Sequence, residues 1–528
     1  MSFLSWRSVY FVSIGLRFVL ALSNSYIHPD EHFQSFEVLA GRMFSLSTRE
    51  PWEFGSLAPA RSAVPLLVVY YLPLTIAQWL GLLPLQTWYL VRLVFMAISW
   101  MVTDWCLYKM LPTKQERIKA IYFVLTSFVS LVYQLHTFSN SIETVLVVLT
   151  VYFINELRFI RTLPEDQYKT SDIINASVAI GVLFAFGIFN RVTFPAFFVI
   201  PGFFLLQSSL KWMYLPIVTT CAFMTTAICC VLVDSCWFGE TSISAILEHP
   251  WLWSQYVVTP YNNLVYNASF ENLAQHGIHP FYTHILVNVP QILGPGLVLL
   301  LPRFRNSYWK TTPFLSAMSG LIFLSLVPHQ ELRFLIPIVP LLCACFDVAA
   351  LESACQKHPL FLSCVMNAWL IFNILMGTMM GVLHQGGVVP ALDFLHENPQ
   401  YSSPGNALIW WRTYSPPTWM LDQKMGNLQI VSVDENTLFL SCDLDSRIGK
   451  ASIDAMGMEA GKLQELIKSV SARYPRVYLI TPIASFSHKF NTSQFEEIWR
   501  YNSHVDLDHF DLSRLQSFQP GLAIYNLL

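Results

Sequence analysis

The chain has 528 residues, of which 54% are hydrophobic and 12% charged, about half the charge of an ordinary soluble domain. That composition excludes a soluble globular protein, and a net charge of −3 offers no basic field for nucleic acid. The 65 charges are uneven, 39 in residues 1–384 and 26 in 385–528, so a long apolar body precedes a tail of more ordinary composition.

A bilayer crossing takes about 20 apolar residues at helical rise, and about a dozen such runs follow one another. They lie near 9–25, 63–83, 88–108, 118–138, 142–158, 173–189, 193–210, 212–233, 284–302, 311–327, 332–350 and 360–383. The expected fold is an α-helical polytopic membrane protein with about 11–12 transmembrane helices. The first run follows Arg7 and has no small-residue cleavage site before Tyr26, so it reads as an uncleaved helix. The run 63–83 contains Pro65 and Pro73 and reads as re-entrant or non-crossing.

Three cationic clusters, Lys109/Lys114/Arg117/Lys119, Arg158/Arg161 and Arg303/Arg305/Lys310, read as cytoplasmic. The first loop (26–62), the large loop (234–283), the turn His329–Arg333 and everything after 384 then face a lumen. The sequons at Asn267 and Asn491 both fall on that side and read as glycosylation sites. Cys106, Cys221, Cys229, Cys230, Cys343 and Cys345 sit in apolar runs without metal or redox spacing and read as small buried hydrophobes.

The body, 1–384, is expected to carry the chemistry, and 385–528 to form a soluble lumenal domain. Pro399, Pro404, Pro416 and Pro417 mark turns, 428–433 and 437–441 alternate like strands, 458–473 reads as a helix and 476–480 as a strand. This is a small α/β domain without catalytic spacing, for which an accessory role is expected.

Charged groups beside an apolar core cost several kcal/mol unless paired or functional. The densest group is His28-Pro29-Asp30-Glu31-His32. Pro29 is placed to open a helix that buries Phe33, Phe36 and Leu39 at the membrane interface, with Asp30 and Glu31 facing a cavity. Either acid has the chemistry of a general base; the bland alternative is a helix cap at Asp30. Metal binding by His28, Asp30 and His32 is disfavoured because Pro29 breaks the helical register between the imidazoles. Further candidates end other apolar runs: Glu53 with Arg61, the segment Ser139–Glu143, Arg191, Asp234, and His329, Glu331 and Arg333. A guanidinium at membrane depth, as at Arg191, suits a lipid phosphate. Asp234 reads equally well as a cap, Glu331 with Arg333 as a boundary pair, and Asp104 as hydrogen-bonded to a neighbouring helix, with Arg92 the alternative partner.

The His28–Glu31 tetrad resembles the signature of the dolichyl-phosphate-mannose-dependent mannosyltransferases of glycosyltransferase family 22, which have the GT-C fold. Arg61-Ser62, Asp234-Ser235 and His329–Phe334 are similar to that family's other motifs, and the resemblance covers residues of about 20–350. Within the family, Ser25–Ser35, Pro51–Phe54 and Tyr266–Pro280 look most like the branch that adds the fourth, α-1,2-linked mannose to the glycosylphosphatidylinositol (GPI) precursor. The resemblance implies an inverting enzyme of the endoplasmic reticulum membrane with a lumenal site, using dolichyl-phosphate-mannose and a GPI precursor, without metal or cofactor. Asp30 is then the base, with Glu31 assisting. His28, His32, Arg61, Arg191, Asp234, His329, Glu331 and Arg333 are the candidates for binding substrate. The alternatives are a relative adding the third GPI mannose or a lipid-linked N-glycan mannose and, from another class, a secondary transporter, for which no inverted repeat is visible.

Overall fold

The computed structural model describes residues 6–55, 57–275, 277–301, 307–354, 359–433, 449–487, 490, 494–509 and 519–528. Arg303, Arg305, the strand-like 437–441 and the Asn491 sequon lie outside these. The helices that matter for the site are α1 (Trp6–Ala21), α2 (Glu37–Phe44), α3 (Val64–Leu80), α4 (Pro84–Met110), α5 (Lys114–Thr126), α6 (Phe128–Leu131), α7 (Ser139–Thr162), α8 (Thr170–Asn190), α9 (Gly202–Lys211) and α10 (Leu215–Gly239). The chain divides into two compact units: residues 1–18, 52–69 and 94–375 form the first, and 19–51, 70–93 and 376–528 the second.

Among the described residues four helices are long and apolar enough to cross a membrane: α4, α8, α10 and Leu360–Leu383. The run 118–138 is instead α5 followed by Phe128–Leu135 at a 66° bend. Ser127 leaves the helical region there, and the N–H of Phe128 that the break frees is taken by Asn373 Oδ1 (2.7 Å). The run 193–210 is also interrupted, by a 3-10 turn at Phe194–Phe198 before the ten residues of α9, and 332–350 by a turn at Leu332–Leu335 before Ile338–Cys345. Apolar length alone reads through such breaks, whereas Pro195, Pro201 and Pro337 cannot donate to a continuing helix. At 17 residues, α3 is shorter than a standard crossing.

In the first unit α8 packs on both α7 and α10. Gly181 lets the backbones of α8 and α10 meet, since a Cβ there would fall 2.4 Å from Thr219 O. Asp104 on α4 accepts from Tyr10 Oη of α1 (3.0 Å) and from Trp100 Nε1 (2.8 Å), the inter-helix bond expected of it. Arg92 is not its partner. It belongs to the second unit, where it donates to Ser23 O (2.7 Å) and Leu20 O (3.1 Å), carbonyls left over at the C-terminus of α1. Cys106, Cys230, Cys343 and Cys345 are buried, whereas Cys221 and Cys229 are exposed on α10.

The second unit contains a six-stranded sheet of order β2-β3-β1-β4-β6-β5. β1 (Asn406–Trp410), β2 (Gln429–Ser432), β3 (Ala451–Asp454) and β4 (Arg476–Pro482) run parallel. β6 (Leu522–Leu527) returns antiparallel to β4, and β5 (Phe495–Tyr501) pairs with β6. The helix Ala460–Ser471 buries Leu463, Leu466, Ile467 and Val470, the one-face spacing of an amphipathic helix, in a core with Ala407, Ile409, Ile453, Val477 and Leu479.

The first loop is woven into this sheet region. Tyr26 donates its N–H to His384 O (3.1 Å) and its hydroxyl to Ser415 O (2.9 Å), and Ser47 N donates to Gln423 O (2.7 Å). Phe36 stacks on Trp419 with centroids 5.2 Å apart. Phe33, Phe36 and Leu39 are therefore buried inside protein, not laid in the membrane interface as the amphipathic pattern suggested. The pattern reports that a face is apolar but not what covers it.

Candidate active site

The tetrad belongs to the second unit. At Pro29 the chain turns, with Glu31 N bonded to His28 O and both His32 N and Phe33 N to Pro29 O, each at 3.0 Å. A wide π turn, His32–Phe36, then leads into α2; such turns occur frequently at functional segments.

This turn gives the two acids different environments. Glu31 is fully buried and its Oε2 accepts from Ile27 N at 3.1 Å, so it holds the loop. His32 is fully buried beside it, stacked on Trp88 (5.9 Å) and edge-on to Tyr26 (4.8 Å). The Asp30 side chain remains 22% exposed and that of His28 39%. Gln34 Nε2 donates to Asp30 Oδ2 (2.6 Å), His28 Nδ1 lies 3.6 Å from Oδ1, and the Asp30 N–H donates to that same imidazole nitrogen (3.2 Å). Asp30 is thus the acid oriented by neighbours yet open to a substrate hydroxyl.

Glu37 stands behind the turn. Fully buried, it accepts from Thr418 Oγ1 (2.6 Å), Thr418 N (3.1 Å), Arg49 N (3.3 Å) and Trp419 N (3.5 Å). Burial pushes its pKa up to about 7, against the lowering effect of those bonds. No local pattern marks Glu37, because its main partner is 381 residues away.

In the first unit the structure gathers five of the expected residues. Arg191 pairs with Glu143 (3.2 Å), Arg61 with Glu53 (2.9 Å), and Arg333 with Glu331. Arg191 Nη1 and Arg61 Nη1 both reach Ser139 Oγ, at 3.1 and 3.4 Å, where α7 begins. Arg191 and Arg333 share the ring of Phe334, at 4.8 and 5.8 Å from its centroid. His329 Nε2 meets Glu331 Oε1 at 2.6 Å and its Nδ1 meets Gly277 O at 2.9 Å. Both ring nitrogens face oxygen atoms, an arrangement that favours the protonated imidazole. The bond to Glu331 accordingly raises the pKa of His329, against the opposing effect of burial. With His329 protonated, four cations and three carboxylates leave one positive charge in excess, and guanidinium chemistry suits a phosphate. Glu143 and Ser139, visible in the sequence only as polar residues opening an apolar run, are part of this group.

Asp234 forms a latch elsewhere in the same unit. It is fully buried and accepts from Ser62 Oγ (2.9 Å), Ala63 N (3.0 Å) and Thr259 Oγ1 (2.8 Å), while the Ser235 hydroxyl accepts from Val257 N (2.9 Å). The Asp-Ser pair thereby ties α10 to the segment before α3 and to the helix Thr259–Ala268. Asn267, at the end of that helix, is exposed.

The fold is similar to that of ArnT from Cupriavidus metallidurans bound to undecaprenyl phosphate, with a TM-score of 0.52 at 10% identity, covering 98% of this chain and 97% of that one. Residues 8–422 match the Alg9-like mannosyltransferase family, and the chain belongs to that family. Among its relatives, a protein of Debaryomyces hansenii is 49% identical over 99% of both chains and one of Candida albicans 46% identical over 99% of both. Each of these is named GPI mannosyltransferase 4. The protein is therefore a mannosyltransferase and not a transporter.

Asp234→Ala strands the Ser62, Ala63 and Thr259 donors, at roughly 1–3 kcal/mol for each buried group left unpaired, and is expected to lower the thermal midpoint in detergent by several degrees; an unchanged midpoint contradicts the latch. The protonated His329 contributes stability that is complete below its ordinary pKa of 6.5 and is lost as pH rises through the raised folded value. The excess thermal midpoint of the wild type over His329→Asn should accordingly shrink from pH 6 to pH 9, and a pH-independent difference refutes it.

Proposed function

We propose that the enzyme transfers mannose from dolichyl-phosphate-mannose to the third mannose of a GPI precursor, forming an α-1,2 linkage at the lumenal face of the endoplasmic reticulum membrane. The observation that carries this reading is the near-full-length identity with relatives named for the fourth GPI mannosyltransferase step. An exposed sequon at Asn267 accords with a lumenal large loop.

In this reading the acceptor hydroxyl oxygen attacks the anomeric carbon of the β-linked donor. Asp30 takes the hydroxyl proton, and the bond from carbon to phosphate oxygen breaks with inversion, giving the α-mannoside. The electron pair leaves with dolichyl phosphate, whose added negative charge needs cationic stabilisation, a chemistry that the paired group of Arg61, Arg191, Arg333 and His329 offers. Phosphate is a good leaving group, so one base and cationic stabilisation suffice, and no metal or cofactor enters. Glu31 and His32 shape the loop that presents Asp30, His28 accepts the Asp30 N–H, and Gln34 orients the carboxylate.

Asp30→Asn is expected to lower transfer at least 1,000-fold, which corresponds to about 4 kcal/mol, with membrane insertion and thermal midpoint unchanged. Near-wild-type transfer in microsomes removes Asp30 from the role of base. Cells lacking the protein are expected to accumulate a three-mannose GPI precursor; a two-mannose GPI or a truncated N-glycan precursor would instead indicate one of the neighbouring family activities.

A further inference from the structure

β1 sits between β3 and β4. From β1 the chain leaves toward β2 and β3, and from β4 it leaves toward β5 at the opposite edge, so the loops diverge above the carboxyl ends of β1 and β4. Open α/β sheets take ligands in such a crevice.

Arg412 lies there, in a left-handed conformation (φ 55°), and its N–H is bonded to Met456 O (2.7 Å). Met456, which follows β3, is left-handed as well (φ 46°). Strain of this kind at two adjacent strand ends is characteristic of ligand sites. The Arg412 guanidinium is partly exposed, lies 5.0 Å from the centroid of the Trp411 ring and reaches Ser485 Oγ, just beyond β4, at 3.5 Å. Among the described residues it forms no salt bridge, and its Nε has no partner; Asp506 acts on it only through space. Thr413, 7% exposed, likewise has a hydroxyl without a partner.

Two residues further on, about 7 Å of extended chain, Tyr414 stands 5.3 Å from Tyr26 and 6.2 Å from His28, ring to ring. One loop thus runs from the crevice to the turn that carries Asp30. A cation without a carboxylate partner, within reach of the Ser485 hydroxyl and over an aromatic ring, has the chemistry of an oxyanion clamp. Building on the reading that the acceptor is a GPI glycolipid, we propose that Arg412 binds a phosphodiester of the acceptor and so selects the acceptor. The sheet domain is then a recognition element for the known reaction.

The test uses the purified full-length enzyme with two acceptors, a mannosylated phosphoinositol glycan and the same glycan without phosphate. Arg412→Gly removes the cation while suiting the left-handed backbone, and Arg412→Lys retains the charge. Arg412→Gly is expected to raise KM for the phosphorylated acceptor about tenfold, with kcat, donor KM and KM for the neutral glycan within about twofold, and Arg412→Lys to fall between. Inorganic phosphate should inhibit wild-type use of the charged acceptor more than that of the Gly variant. An unchanged KM, an equal rise for both acceptors, a rise in donor KM, or a lower thermal midpoint without selectivity overturns the proposal. Wild-type transfer to neither glycan overturns the acceptor reading and this proposal together; transfer to both, with Arg412→Gly behaving as wild type, overturns only the assignment of Arg412.

Discussion

A carboxylate removed from water costs several kcal/mol unless donors replace the hydration it lost, and that requirement organises each polar centre of this protein. Glu31 is bonded to the backbone of Ile27, Glu37 accepts from four donors, Asp234 from three, and Glu143 and Glu331 hold arginines. With its neighbours stapled in this way, Asp30 is left partly exposed, its carboxylate oriented by Gln34. The catalytic reading of the tetrad depends on that contrast between two adjacent acids, one consumed by structure and one kept available.

The same requirement explains why the first loop and the sheet region form one compact unit. Glu37 cannot be satisfied within its own helix, so its donors come from Thr418 and Trp419, and Tyr26 places its hydroxyl on Ser415. Loss of the sheet domain would strand these groups and unseat the turn that presents Asp30. A region without catalytic spacing of its own therefore has a direct structural claim on the chemistry, and the crevice at Arg412 extends that claim to substrate selection.

In the first unit the cations are held in pairs, which lowers the cost of keeping them in an apolar body while leaving one positive charge over. Phe334 and Ser139 act as shared contacts, so Arg61, Arg191 and Arg333 behave as a group and not as isolated boundary charges. This suits a leaving group whose charge grows as the sugar departs. Asp234 shows the opposite outcome: a motif acid whose every visible bond is structural.

Much was legible locally. Apolar length marked α4, α8, α10 and Leu360–Leu383, alternation marked β2, and the stretches 458–473 and 476–480 read correctly as the helix Ala460–Ser471 and β4. The density of acids and imidazoles at 28–32 drew attention to the turn, because charge is rare in such a chain. What the residues could not express was anything that depends on a distant partner: the break at Ser127 completed by Asn373, the burial of Glu31, the donors of Glu37, the capping of α1 by Arg92, and the pairing of Arg191 with Glu143. By itself the sequence determined a membrane body, its helical stretches and a short roster of costly polar residues, since composition and periodicity are local properties. Only the tertiary structure decided which of those residues are open to substrate and which are spent on holding the fold, because satisfying a buried charge is a property of what surrounds it.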